Sequence, residues 1–366
     1  MIKRVCVFIC LLFMLCFCAA AQPVTMVGYY ENLIVGGANR NGDMMGGNLG
    51  RLRLRLDTEP CFDLLLHLEP EYDLLAKTNS LPLANVSGLD QLVWDRAYFV
   101  WRLAFADITL GKQRIAWGAG YIWNPSDVFN PFTLSFAVDD DQDKTPIALR
   151  CEMPLGAASG LDIFVETDEP WSEGKKGARL RGNYDIYDVS LSYVDRGSGA
   201  FQIGFDTTGE LFTLGIRAET ALISVPGANR YIQTVLGGNY TFDNGWGLDL
   251  EYYFNGLGQK SMADYEWSKL LSGDLSQLGM DYYYIGTNKL LDELTDLRFS
   301  LLLNADDLSF IFYPALSHNL FQNFDLSLEA MFSGGQPGSE YMPTAAEDPS
   351  YLMGSNLILL RGRYSF

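Results

Sequence analysis

The sequence predicts an all-β fold, a transmembrane antiparallel up-and-down β-barrel of about 18 strands. Three observations predict it: an N-terminal export segment, an alternation of apolar and polar residues along nearly the whole chain, and a regular succession of short and long links. Two short segments around Tyr187 to Phe205 are the weakest strands, so a barrel of roughly 16 strands is the alternative.

The N-terminus has the order of a secretory signal. Residues 3–4 are basic, residues 5–17 are apolar and residues 19–21 are alanines. The apolar run is shorter than the ~20 residues that a membrane-spanning helix needs. We therefore expect residues 1–21 to be a cleaved signal peptide and residues 22–366 to form a single barrel domain. A lipoprotein signal at Cys18 is the less favoured alternative.

Composition leaves two classes of protein open. The chain is 48% hydrophobic and has a net charge of −19, which becomes −21 once the two basic residues of the signal are removed. Such a chain is either an acidic soluble β-protein or a barrel that places its polar residues inside. The periodicity of the sequence decides between these two classes.

Residues 51–56 show the alternation most clearly, as Arg-Leu-Arg-Leu-Arg-Leu. Successive side chains of a strand point to opposite faces, so the leucines share one face and the arginines the other. In a membrane barrel the leucines contact lipid and the arginines line a polar lumen. Comparable segments lie near residues 24–35, 48–57, 61–74, 92–105, 107–117, 145–154, 160–167, 178–185, 188–194, 200–206, 210–220, 230–242, 246–254, 280–288, 295–304, 308–314, 322–332 and 352–366.

The links between segments alternate in length, as expected for short periplasmic turns and long external loops. The predicted turns are 58–60, 106, 155–159, 186–187, 207–209, 243–245, 290–294 and 315–321. The longer loops are 36–47, 75–91, 118–144, 168–177, 255–279 and 333–351, and the links at 195–199 and 305–307 are short exceptions. This order leaves no room for a separate plug domain.

The last segment alternates apolar residues up to Phe366. This pattern resembles the signal that the barrel-assembly machinery reads in outer-membrane barrels. It predicts that machinery as a partner, beside outer-membrane lipid and lipopolysaccharide.

Charged residues are the candidates for the pore lining. Arginines on early strands and on the last strand form one predicted wall, and acids on intervening strands form another. Facing walls of opposite charge would orient solutes and set ion preference. Direct pairing of the charges is the alternative, and it would leave only a polar lumen. The predicted pore-lining residues are Arg51, Arg53, Arg55, Asp63, Glu69, Arg96, Arg102, Arg114, Asp249, Glu251, Arg361 and Arg363.

Residues 111–118 read GKQRIAWG and are followed by WNPSD at 123–127 and by Asn130-Pro131. Strict alternation would place Lys112 and Arg114 outward, whereas a bulge at Gly111 would turn both inward, which we favour. The block resembles one in porin-like barrels of the alginate-export type and their uncharacterised relatives. The resemblance implies an outer-membrane channel for anionic or polar solutes.

The loop 118–144 carries acids at 139–141 and 143. It could fold into the pore as a constriction, or its carboxylates could bind Ca²⁺. A solvated external loop bridged to lipopolysaccharide is the alternative that we favour.

A porin-like channel for passive diffusion of small hydrophilic or anionic solutes is therefore the expected function. An enzyme is disfavoured because the chain has only two histidines. His67 has no adjacent serine on its face, and His318 lies in a predicted periplasmic turn. A structural or adhesive barrel with a blocked lumen is the other alternative. We expect no catalytic, cofactor or metal site and no nucleic-acid partner, and a homotrimer is a further hypothesis.

Overall fold

The computed structural model describes residues 23–38, 42, 44–61, 63–79, 92–132, 145–273, 275–344 and 356–366. In this part of the chain, 18 strands form one sheet. The strands are β1 Thr25–Ala38, β2 Met44–Cys61, β3 Leu64–Asn79, β4 Leu92–Arg102, β5 Asp107–Lys112, β6 Ile147–Pro154, β7 Gly160–Glu166, β8 Lys176–Tyr184, β9 Tyr187–Gly197, β10 Ala200–Leu211, β11 Leu214–Ser224, β12 Tyr231–Thr241, β13 Gly247–Asn255, β14 Asp281–Asp292, β15 Thr295–Asn304, β16 Phe310–Phe321, β17 Phe324–Gly334 and β18 Asn356–Ser365.

The sheet closes on itself. β1 pairs antiparallel with β2 on one side and with β18 on the other, and each remaining strand pairs with its sequence neighbours. Closure removes the free edges that an open sheet would expose. The prediction of an antiparallel barrel of 18 strands is thereby confirmed. The two segments that the sequence left in doubt form β9 and β10.

Alternation along each strand separates the two faces of the wall. On β2, Arg51 is 2% exposed and points into the barrel, whereas Leu52 is 38% exposed on the outside. The outer face elsewhere carries exposed Leu, Ile, Phe and Tyr side chains, such as Leu191 and Ile358. An apolar exterior around a polar wall is the arrangement of a barrel whose outer solvent is lipid.

Three of the predicted turns are wrong, because their strands continue further. β2, β10 and β16 continue through 58–60, 207–209 and 315–321 respectively. Pro60 lies where the register with β3 shifts, which suits a residue that lacks a backbone N–H. The turns that follow these strands place Asp63, Phe212 and Asn323 at positive φ, a conformation typical of tight hairpin turns.

The loop that follows β5 folds into the barrel, and the loop 256–280 carries a 3-10 helix, Met262–Asp264, and a short helix α1, Trp267–Ser272. Among the described residues, no helix has the length and apolar character needed to cross a membrane. Because the loop after β5 enters the barrel, the lumen contains irregular backbone as well as side chains. The hydrogen bonds of that backbone must be satisfied inside the barrel.

Candidate solute pathway

The inserted segment, residues 113–132, crosses the lumen, and a buried carboxylate on β11 holds it there. Glu219, 1% exposed, accepts the backbone N–H of Ala119 at 2.7 Å and that of Ser126 at 2.5 Å. It also accepts the N–H of Gly120 at 3.3 Å. A carboxylate can satisfy several backbone donors that water would otherwise serve.

A second carboxylate, Glu251 on β13, holds the next three residues of the loop. Its oxygens accept the backbone N–H groups of Tyr121 at 2.6 Å, Ile122 at 2.9 Å and Trp123 at 3.0 Å. Arg217 on β11 donates to the same carboxylate at 2.9 Å and so compensates its charge. We call Glu219 and Glu251 the carboxylate clamp.

Glycines permit this close approach of loop and wall. Gly118 has φ +125, and a Cβ there would lie 2.8 Å from a carboxylate oxygen of Glu219. A Cβ at Gly120 would lie 1.8 Å from the carbonyl oxygen of Trp123. Further along, Asp127 accepts the backbone N–H groups of Phe129 and Asn130 and closes a local turn.

Apolar side chains of the inserted segment pack on two sides of the barrel. Trp123 stacks on Tyr253 of β13, with ring centroids 5.2 Å apart, within a cluster that includes residues of β1, β2 and β14–β18. On the other side Ile115, Trp117 and Phe129 pack against Ala148, Phe164 and Val194 of β6, β7 and β9. The segment is thus fixed by burial as well as by the carboxylate clamp.

Ion pairs cover the inner wall from β2 to β4. Arg51 binds Asp73 at 2.8 Å, and Arg53 binds Glu69 at 2.9 Å and also contacts Asp95. Arg96, a further predicted pore residue on this wall, lies 3.6 Å from both Glu69 and Asp95. The charges here pair with their neighbours directly instead of facing an opposite wall, which is the alternative that the sequence left open.

A second ion-pair group joins β1, β17 and β18 across the closure of the barrel. Arg361 binds Glu31 at 3.1 Å and Glu329 at 3.0 Å, and Arg363 binds Glu31 at 2.7 Å. The first and last strands therefore share one charged wall, but Glu31 on β1 compensates it.

The remaining predicted pore residues occupy different places. Asp249 lies inward on β13 and binds Arg217 at 3.0 Å. Arg55 and Arg102 lie near the short-turn end, paired with Asp57 and Glu59. A pore-lining role for these residues, as for the ion-paired arginines, stays a prediction.

The predicted place of Asp63 and the predicted bulge at Gly111 differ from the structure. Asp63 is an exposed turn residue at φ 56, because β3 begins one residue later, so it does not stand on the lumen wall. Arg114 is exposed, between the buried side chains of Gln113 and Ile115. Gly111 does have a positive φ, but the register of β5 with β4 and β6 is unbroken there. Without a bulge the alternation of β5 continues to its last residue, so the predicted inward turn of Lys112 is wrong. Arg114 follows the strand, and its pore-lining role stays a prediction.

Sequence reasoning missed Glu31, Glu219 and the role of Glu251 as a loop anchor. Glu219 continues the inward face of Arg217 by one step of two residues, so alternation alone could have placed it in the lumen. Its function depends on contact with a loop 100 residues away in sequence, which no local pattern records.

A vestibule of about 820 Å³ remains beside the inserted segment, along β14 to β18. Its lining includes three residues of the inserted segment, namely Tyr121, Ile122 and Phe132. Glu293 and Leu294, which connect β14 to β15, lie at its short-turn end. Its walls carry charged side chains of both signs. The positive ones are Arg298, Arg361 and Arg363, and the negative ones include Asp296, Asp325 and Glu329.

At the long-loop end, buried polar groups tie three loops together. Glu340, 2% exposed, accepts the hydroxyl of Tyr282 at 2.6 Å, the side-chain amide of Asn304 at 2.7 Å and the backbone N–H of Leu278 at 3.0 Å. Its backbone N–H donates to Asp307. Burial away from water raises the pKa of the Glu340 carboxyl to about 7.

The acidic run 139–143 lies outside the described residues, so its predicted role in binding Ca²⁺ stays a hypothesis. Among the described residues, no group of three or more His, Cys, Asp or Glu side chains is placed to hold a metal ion. Residues 118–132 do fold into the lumen as the constriction hypothesis required, and not as a solvated external loop.

No protein-family model and no curated protein matches the sequence. The fold does match solved structures. OccK9 (OpdG) of Pseudomonas aeruginosa aligns with a TM-score of 0.62 at 10% identity, over 94% of this chain and 98% of that one. A BenF-like porin from Pseudomonas fluorescens Pf-5 aligns with a TM-score of 0.60 at 9% identity, over 94% and 98%.

A Rhodopseudomonas blastica porin, a triple mutant, aligns with a TM-score of 0.51 at 12% identity, over 94% of this chain and all of that one. At such low identities the likeness concerns the backbone only. The chain has the fold of the porin barrels.

Proposed function

We propose that this protein is a porin-like channel of the bacterial outer membrane through which small hydrophilic solutes diffuse passively. The observation that carries the proposal is the combination of an apolar outer surface with a polar lumen narrowed by residues 113–132. The carboxylate clamp gives that segment a fixed position, and the vestibule beside it is the route for solutes.

The charges of the lumen support a polar route more than they support two opposed walls. Arg51, Arg53, Arg361 and Arg363 each bind carboxylates on neighbouring strands. An arginine paired in this way lines the wall without acting as a free positive charge. Selectivity would then depend on the charged groups that remain uncompensated.

The finer hypothesis of an alginate-export-type porin rests on residues 111–131 alone. One solved neighbour, OccK2 (OpdF) of Pseudomonas aeruginosa, was determined in complex with glucuronate and has a TM-score of 0.58 with this chain. Glucuronate is therefore the first anionic solute to test here.

The surroundings of the histidines support a channel over an enzyme. His67 lies between Asp57, at 2.6 Å, and Glu69, at 3.0 Å, and its ring stacks on Tyr98. His318 contacts the hydroxyl of Thr295 at 2.9 Å. The contacts of His67 are thus two carboxylates and a ring, not a nucleophile. The Thr295 hydroxyl donates its proton to Asp292 at 2.8 Å, so it accepts from His318 and is not a nucleophile that this histidine activates as a base.

A barrel with a blocked lumen is the second candidate, favoured by the two apolar clusters that the inserted segment forms. The proposal also includes a cleaved signal over residues 1–21 and a single barrel domain over residues 22–366. It further includes assembly by the barrel-assembly machinery and a homotrimeric state. Lipid and lipopolysaccharide would surround the barrel.

Liposome swelling tests the proposal against the blocked barrel. Vesicles that contain the purified protein should swell in isosmotic arabinose and more slowly in glucose and sucrose. Heat-modifiable migration on a gel would show in parallel that the barrel is folded. Vesicles with folded protein that swell no faster than empty ones would overturn the channel and favour the blocked barrel.

A further inference from the structure

We infer that the vestibule selects cations, and that the solutes it favours are small amines that carry an apolar or aromatic part. The inference deepens the proposed channel function and rests on it. It runs against the anionic class that residues 111–131 implied, and it comes from three features of the vestibule.

The first feature is that carboxylates bind the arginines of the vestibule. Arg298 binds Asp296 at 2.6 Å. Arg361 and Arg363 share Glu31, and Arg361 also binds Glu329. Each positive charge thus has a carboxylate within contact distance, which weakens its attraction for an anion in the lumen.

The second feature is that two carboxylates of the vestibule lack such a partner. Asp325 on β17 is exposed, and within the described part of the chain it accepts only the neutral side-chain amide of Asn319, at 2.9 Å. Its register neighbour on β18 is Arg363, whose guanidinium is turned to Glu31. Glu293, in the turn that ends the vestibule, is exposed and has no cation beside it among the described residues.

The three positive charges are balanced by three carboxylates, namely those of Asp296, Glu329 and Glu31. The carboxylates of Asp325 and Glu293 remain as uncompensated negative charges. A narrow passage with low-dielectric walls concentrates the field of such uncompensated charges and enriches counter-ions. The excess is negative, so the enriched ions are cations.

The third feature is the aromatic part of the vestibule lining. Tyr121, Phe132, Tyr284 and Tyr313 line the vestibule together with the aliphatic side chains of Leu302 and Ile311. Aromatic faces attract cations, and the same surface removes apolar groups from water. A molecule with an ammonium group and a ring can therefore place its charge near Asp325 while its ring passes along this surface.

The test is the reversal potential of single channels under a KCl gradient, measured on the full protein and on three variants. The wild type should have the sign of a K⁺-preferring pore. Asp325→Asn and Glu293→Gln should each move the reversal potential toward zero. Asp63→Asn is the matched control, because it removes the same charge from an exposed turn at the same end of the barrel but outside the vestibule, and it should leave the potential unchanged.

Benzylamine and benzoate, added at equal concentration, then test the solute class. Benzylamine should reduce the ionic current of the wild type and do so less in Asp325→Asn, whereas benzoate should reduce neither. A Cl⁻-preferring wild type, an equal shift in Asp63→Asn, or stronger block by benzoate would each overturn the inference while leaving a channel. A folded protein without conductance would instead overturn the proposed function.

Discussion

The carboxylate of Glu251 on β13 accepts the backbone N–H of Ile122 at 2.9 Å, inside the barrel and across 129 positions of sequence. The bond belongs to a set in which two wall carboxylates satisfy six backbone donors of one inserted loop. The position of the loop, and with it the width of the lumen, thus depends on two side chains of the wall.

Glu251→Gln should loosen the inserted loop. An amide has one acceptor oxygen in place of two, and its NH₂ group would face the donors of the loop, so docking should weaken by roughly 2–4 kcal/mol. Chymotrypsin cleavage near Tyr121 and Trp123 should accelerate, and single-channel conductance should rise. Asp249→Asn is the control, because Asp249 shares Arg217 with Glu251 but contacts no loop N–H in the described structure. Equal cleavage of both variants would contradict the clamp.

Leu52→Arg and Arg53→Met should both destabilise the barrel, for opposite reasons. A charge on the lipid face near the middle of β2 costs about 2–4 kcal/mol. Removal of Arg53 leaves the buried carboxylate of Glu69 and the partly buried carboxylate of Asp95 without their main partner, which costs roughly 3–5 kcal/mol. Thermal unfolding in detergent measures both losses. Only the stability lost in Arg53→Met should be recovered by adding Glu69→Gln and Asp95→Asn. Failure of that rescue would count against the ion-pair wall.

Glu340 should make the loop cluster less stable as pH rises. Its pKa is about 7 in the folded protein and near its ordinary value of 4.5 when the cluster opens, so between these values the folded form holds the extra proton. Stability is therefore greatest near pH 4.5 and below, and it falls by up to about 3 kcal/mol as pH approaches 7. Hydrogen exchange of loops 256–280 and 335–344 at pH 5 and pH 8 measures the change. Glu340→Gln should flatten the difference, and an unchanged pH dependence in that variant would contradict this assignment.

Arg361→Gln should increase the cation preference of the pore, because Glu31 and Glu329 would each lose a positive partner. Arg114→Gln removes the same charge from an exposed position of the inserted segment that is not part of the vestibule lining, and it should not change the reversal potential. A shift caused by Arg114→Gln would show that its side chain reaches the pathway after all.

The sequence was sufficient to predict the number of strands and the face of most wall residues, because both follow from a period of two and from tight turns. It placed Arg51, Arg53 and Glu251 inside the barrel. It misjudged the ends of β2, β10 and β16, since alternation weakens where a strand leaves the apolar zone. It also misjudged Gly111, because a glycine at positive φ does not by itself shift register.

The arrangement of the lumen could not be read from the sequence. The carboxylate clamp joins residues between 93 and 130 positions apart, and the ion pairs of Glu31 join opposite ends of the chain, 330 positions from Arg361. Such contacts depend on which strands become neighbours and on how a loop enters the barrel. A one-dimensional pattern shows that Glu251 points inward but not that it meets a backbone there.

Single-channel recording of the purified protein in a planar bilayer tests the central claim most directly, namely that a water-filled path passes beside the inserted loop. We predict discrete conductance steps from barrels whose folded state is shown by heat-modifiable migration. The steps should be larger in Glu251→Gln than in the wild type. Folded wild-type protein that gives no conductance would contradict the channel, and the inserted loop would then be a plug.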